Sequence, residues 1–194
     1  MMAQIERGSL LSLEAYARER DAFRARVIEH KKRRTVHLGD HVTLIFEDEL
    51  TVRYQIQEML RIERIFEETG IEDELEVYNP LVPDGGNLKA TMLIEYPEVA
   101  QRQRSLAQLK GIEDRVWVQV EGGARVYAIA DEDLERDNEE KTSAVHFLRF
   151  EFEPDMRAAL RGGAALLIGV DHPRYHAQTA TPLAVRDALA GDLA

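Results

Sequence analysis

The chain has 194 residues, 44% hydrophobic and 31% charged, with a formal net charge of −11 and no cysteine. That composition can bury a core within one ordinary domain, and no apolar run approaches the roughly 18 residues of a membrane-spanning helix. Disulfides, thiolate catalysis and a cysteine-held iron–sulfur cluster are excluded within this chain, so any divalent metal would need His, Asp, Glu or Tyr ligands.

The N-terminus, Met1-Met-Ala-Gln-Ile-Glu-Arg7, lacks the apolar core of a signal peptide, and a cytoplasmic location is expected. Residues 9–33 read as one long helix, capped by Ser9 or Ser12, with Leu10, Leu13, Tyr16, Ala17, Phe23, Val27 and Ile28 on its apolar face. Arg20, Arg24 and Lys31 interrupt that face. Residues 18–34 carry a local balance of +5, leaving −16 elsewhere. Lys31-Lys-Arg-Arg34 is the densest basic run, and the acidic remainder disfavours nucleic acid as a partner.

Thr35–Leu38 and His41–Glu47 read as a hairpin around a two-residue Gly39-Asp40 turn, which would send His37 and His41 to opposite faces. A second helix is expected over 51–68, with Val52, Ile56, Met59, Leu60, Ile62 and Phe66 on one arc. Gln55 and Glu63 lie inside that arc, and Glu58 lies at its edge. Leu75–Pro83 looks extended and is broken by two prolines. Apolar positions in the 71–83 stretch, if exposed, would suit a homodimer.

Strands are expected over 89–96, 115–120, 125–130, 145–152 and 164–170. Glu121-Gly-Gly-Ala124 turns between the second and third of these. Helices should run from Pro97 to Leu109, from Pro154 to Gly162 and over 182–193. Residues 131–141 read as an acidic connector. Its spacing resembles a calcium loop only superficially, since Arg136 stands where that loop needs glycine. The fold class is therefore α+β, in one domain over 1–194. Its helix-rich part, about 1–70, holds a long N-terminal helix and a second packed helix. Its sheet-rich part, about 71–194, holds a largely antiparallel sheet.

Two constellations could carry chemistry. If the first two helices pack together, Arg20 and Arg24 can neutralise Glu58 and Glu63 beside Gln55. The result is either a buried ion network that fixes helix register or a polar pocket for an anion or a metal. The second constellation is Asp171-His-Pro-Arg-Tyr-His176, leaving a buried strand. Asp171, His172, Tyr175 and His176 supply donors there, and a histidine could act as base or ligand. The bland alternative is a turn in which Asp171 bonds nearby backbone and His172 packs on Pro173. The metal-ligand candidates are His172, His176, Glu58 and Glu63, with Glu95 as a further carboxylate.

Several strings resemble the bacterial domain-of-unknown-function family 3501. They are Arg33-Arg34, Leu38-Gly39, Phe46-Glu47, Thr51-Val-x-Tyr-Gln-Ile-Gln-Glu-Met-Leu-Arg-x-Glu63, Tyr78-Asn79-x-Leu81-x-Pro83, Ala90-Thr-Met-Leu-Ile-Glu95 and Gly169-Val-Asp-His-Pro-x-Tyr175. The resemblance covers nearly the whole chain. It implies a role linked to peroxide handling or redox metabolism, with a rubrerythrin-like or iron–sulfur protein as partner, and transfers no catalytic residue. The functional expectation is a cytoplasmic ligand-binding or accessory protein in a redox or oxidative-stress-linked system. The alternatives are a metal-dependent enzyme using His and Glu ligands, or a structural homo-oligomer.

Overall fold

The computed structural model describes residues 4–130 and 141–194. The acidic stretch read as a connector therefore lies almost entirely outside the described residues, with only Lys141 inside. Two antiparallel four-stranded sheets carry the fold. The first has the order β1 (Thr35–Leu38), β2 (Val42–Phe46), β3 (Asn87–Ile94), β6 (Val145–Glu151). The second has the order β5 (Arg125–Tyr127), β4 (Val116–Val120), β7 (Leu166–His172), β8 (Tyr175–Ala180).

Alternating residues of both sheets meet in one apolar core, including Leu44, Met92 and Phe150 from the first and Val118 and Ile168 from the second. The helices α4 (Val99–Gln108), α5 (Pro154–Arg161) and α6 (Leu183–Ala190) add Leu106, Leu160, Val185 and Leu189 to it. A second core lies on the other face of the first sheet. There Val52, Ile56 and Leu60 of α2 (Glu49–Ile62) and Ile71 and Leu75 of α3 (Glu68–Tyr78) are buried, with Phe147 of β6 packed against them. The first sheet is thus covered on both faces, which explains why β3 is buried at nearly every position. None of the described helices is long and apolar enough to cross a membrane.

Several elements differ from the sequence expectation. Helix α1 (Leu13–Lys31) starts after Ser12, whose side chain accepts from the Ala15 N–H at 3.2 Å. Only Tyr16 and Val27 of α1 are buried. The helix docks on α2 through Phe23, which lies between Tyr16 and Tyr54 with ring centroids 6.0 and 5.9 Å away.

Helix α2 stops at Ile62 because Arg64 takes a left-handed φ of 54° and the Ile65 N–H returns to the Leu60 carbonyl at 2.9 Å. This is the glycine-type helix stop made without glycine, and it takes Phe66 off the expected arc. The first part of the 75–83 stretch, expected to be extended, is helical and ends α3. Its prolines act only beyond the helix, Pro80 opening a short 3-10 turn over Asn79–Leu81. Ile71, Leu75, Leu81 and Val82 are buried, which leaves Val77 as the exposed large apolar residue of the stretch read as a dimer surface.

The first hairpin pairs Leu38 with Val42, so its loop has three residues, Gly39 to His41, rather than two. The 125–130 strand shortens to β5, with Ile129 bridging to Arg149 on the other sheet. The chain does not leave the sheet at Asp171. It turns at Pro173-Arg174 into β8, a strand the sequence reading missed.

Candidate functional site

The α1–α2 network forms in part. Glu58 accepts from the Arg20 fork at 2.7 and 3.1 Å and from the Tyr16 hydroxyl at 2.7 Å. The Arg20 hydrogen bonds, working against partial burial, hold the Glu58 carboxyl down at about 2. Burial and the bond to Glu58 push the Tyr16 phenol well above its ordinary range. Arg24 and Glu63 do not join this network. Arg24 is exposed, and Glu63 is the exposed cap residue that ends α2.

The buried amide of α2 is Gln57 rather than Gln55. Its side chain accepts from the Leu11 N–H at 2.7 Å and anchors the segment before α1. Asn79 anchors the same N-terminal segment, accepting from the Ile5 N–H at 2.8 Å. Tyr16, Arg20 and Glu58 thus bond one another, and the cluster works as a joint between α1 and α2.

The Asp171–His176 segment resolves into structural roles. Asp171 sits on the outer face of the second sheet, 2.9 Å from Arg115 and 2.6 Å from the Tyr127 hydroxyl. His172 is buried, and backbone groups take both ring nitrogens. Nε2 meets the Lys110 carbonyl at 2.9 Å, and Nδ1 accepts from the Arg174 N–H at 3.1 Å. That pattern fixes the tautomer and leaves neither lone pair for a metal.

Tyr175 donates to the Leu38 carbonyl and accepts from the His41 N–H at 3.1 Å. It clamps the β1–β2 loop at Gly39, where φ is +67° and a Cβ would strike the tyrosine hydroxyl. His176 is exposed on β8. Among the described residues no three His, Asp or Glu side chains gather as metal ligands, so His172, His176, Glu58, Glu63 and Glu95 form no such set. His37 and His41 also part ways: His37 meets the Thr43 hydroxyl at 3.0 Å, and His41 stacks on Tyr96 at 3.9 Å.

A different site emerges between the helical layer and the first sheet. A cavity of about 380 Å³ opens there. Its walls are Ile45 and Leu93 of the sheet, Phe147 and Val145 of β6, Val52 of α2, and Leu81. Its polar groups are Lys31, Glu47, Thr51, Gln55, Tyr78 and Thr91.

Local structure places them. Asp48 caps α2 in a reciprocal box with Thr51, its carboxylate accepting the Thr51 N–H at 3.0 Å and its own N–H going to the Thr51 hydroxyl at 2.9 Å. The residue before the cap, Glu47, is thereby held at the junction of β2 and α2. Thr51 donates its hydroxyl to one Glu47 oxygen, and Thr91 of β3 donates to the other at 2.7 Å. No Lys, Arg or His among the described residues forms an ion pair with Glu47.

Of this group, sequence reasoning had singled out Gln55 as a site candidate and Lys31 as a residue on a helix face. The other polar groups come from three elements, and no single periodicity marks them. A signal was nonetheless present, because Glu47, Thr51, Gln55, Tyr78, Leu81, Thr91 and Leu93 all lie in the strings that carry the family resemblance. The arrangement can hold a small molecule against an apolar wall with one end on a positioned carboxylate.

Comparison with known proteins places the chain in a family and gives no activity. It is similar to a novel protein of unknown function from Burkholderia pseudomallei K96243, known from its crystal structure, at 59% identity and a TM-score of 0.94 over 98% of this chain and 100% of that one. No curated protein matches the sequence. The family model described as protein of unknown function (DUF3501) matches residues 4–193, and the chain belongs to that family.

Proposed function

We propose that this protein binds a small amphiphilic molecule in the cavity between α2, α3 and the first sheet. The observation that carries the reading is the convergence there of apolar walls and a carboxylate held by two threonine hydroxyls without a cation. A volume of about 380 Å³ falls within the usual range for small-molecule sites, and so does the mixture of apolar lining with a few placed polar groups. The cytoplasmic setting belongs to the same proposal. So does an accessory role in a redox or oxidative-stress-linked system beside a rubrerythrin-like or iron–sulfur partner, which rests on the family resemblance. Self-association belongs here too, through the exposed Ile62, Phe66 and Val77.

The test is a thermal-shift titration with short linear amphiphiles. A molecule that binds only the folded state raises the melting temperature by mass action, by a few degrees at high saturation. Leu93→Trp places an indole in the cavity and should abolish the shift while the protein stays folded. Absence of any shift in the wild-type protein would sink the reading.

A further inference from the structure

The polar end of the cavity has a donor–acceptor balance that selects the ligand's chemistry. This step rests on the cavity being a binding site. An ionised carboxylate only accepts hydrogen bonds, and it has room for about four. Glu47 receives two, from the Thr51 and Thr91 hydroxyls. Each threonine has a single hydroxyl proton; Thr91 directs its proton at Glu47, and Thr51 shares its proton between Glu47 and the Asp48 carbonyl at 3.1 Å.

The Thr51 oxygen also accepts the Asp48 N–H at 2.9 Å and keeps one lone pair. The Thr91 oxygen has no donor among the described residues and keeps a lone pair beside Glu47. Glu47, Thr51 and Thr91 therefore offer the cavity acceptors, with their hydroxyl protons already used. Lys31 lines the same cavity but makes no ion pair with Glu47. A partly buried carboxylate without a cation is unfavourable, and a donor-rich cation placed there would offset it.

We propose that the ligand is an amine, its ammonium donating to Glu47 and Thr91 and its apolar body lying along Ile45, Leu93 and Phe147. An ammonium fits because it brings three donors and no acceptor. A carboxylate would meet Glu47 with like charge. An alcohol brings one donor and no charge.

Isothermal titration with n-hexylamine, 1-hexanol and hexanoate separates these cases, since the three share one body and differ in the head group. Wild-type protein should bind hexylamine about tenfold or more tighter than hexanol, the scale of a charge-assisted hydrogen bond, and hexanoate least. Glu47→Gln should erase the amine's advantage over hexanol. Should Glu47→Gln fail to fold by circular dichroism, Thr91→Val tests the same end and should weaken hexylamine several-fold. Equal binding of hexylamine and hexanol, or preference for hexanoate, overturns the amine assignment and leaves the cavity reading standing, provided Leu93→Trp blocks that binding. Loss of neither ligand in Leu93→Trp, or binding of none of the three by wild-type protein, overturns both.

Discussion

Glu58 accepts from Tyr16 and Arg20 together, and the arginine fork decides its titration. Its folded pKa of about 2 lies below the usual 4.5, so the stability it contributes is fully present above about pH 4.5 and is lost as the pH falls toward 2. Urea unfolding measured across that window should show wild type losing on the order of 2 kcal/mol more than Glu58→Gln, whose amide does not titrate. The pair Arg20 and Glu58 was legible in the sequence because both interrupt apolar helix faces. Arg24 and Glu63 satisfy the same pattern and fall outside the contact. Face periodicity gives the direction of a side chain but not where the partner helix ends. Gly169 makes a related point, since a Cβ there would overlap the Trp117 indole paired across from it on β4. Only the register of two strands distant in sequence reveals that requirement.

Helix α2 is the element on which the candidate site depends. Asp48 caps it, accepts from His30 at 2.5 Å and lies 3.5 Å from the buried Arg34. Burial works against its ionisation, but the Arg34 charge, the Thr51 N–H and His30 outweigh burial and hold its carboxyl below the ordinary range. Asp48→Ala should cost about 2 kcal/mol or more, since it removes the cap and leaves Arg34 and His30 short of an acceptor. Asp48→Ser should recover the capping share alone, and chemical denaturation of both variants separates the two contributions. The start of the second helix was misjudged by only two residues. Its end was lost because Arg64 performs the turn that glycine normally marks. For α3, proline misled: Pro80 and Pro83 follow the helix and constrain only its exit, while Ile71 and Leu75, four apart, already marked the buried face. The β8 strand escaped because Pro173-Arg174 reads as a departure from a sheet as readily as a hairpin turn. Its pairing with β7 is visible only in three dimensions.

Across the whole molecule, Arg34 joins regions far apart in the chain. Its guanidinium is nearly inaccessible and donates to the Phe46 carbonyl at 2.8 Å, the Glu47 carbonyl at 3.1 Å and the Asp192 carboxylate. Burial pushes the Asp192 carboxyl upward, against the Arg34 charge that favours ionisation. Arg34→Met should therefore cost about 3–5 kcal/mol, because it strands two half-buried carboxylates and two carbonyls. Asp192→Asn should change stability by less than about 1 kcal/mol, since the amide still accepts and a buried charge is removed. Urea denaturation at neutral pH compares them directly. The run Lys31-Lys-Arg-Arg34, the densest basic run of the sequence, is thus divided. Lys31 faces the cavity, Lys32 pairs with Glu29, and Arg34 is internal.

Local periodicity and turn residues sufficed for the α+β class and most strands, because each depends on neighbours within a turn or a strand. The absence of cysteine excluded thiolate chemistry, and particular residue strings carried the family resemblance. Tertiary structure decided the division into two sheets and the burial of the first sheet on both faces. It also decided the withdrawal of His172 into backbone bonds and the meeting of Glu47, Thr51 and Thr91 around one cavity. Those outcomes depend on strand order and register, which bring together residues that no short-range pattern connects.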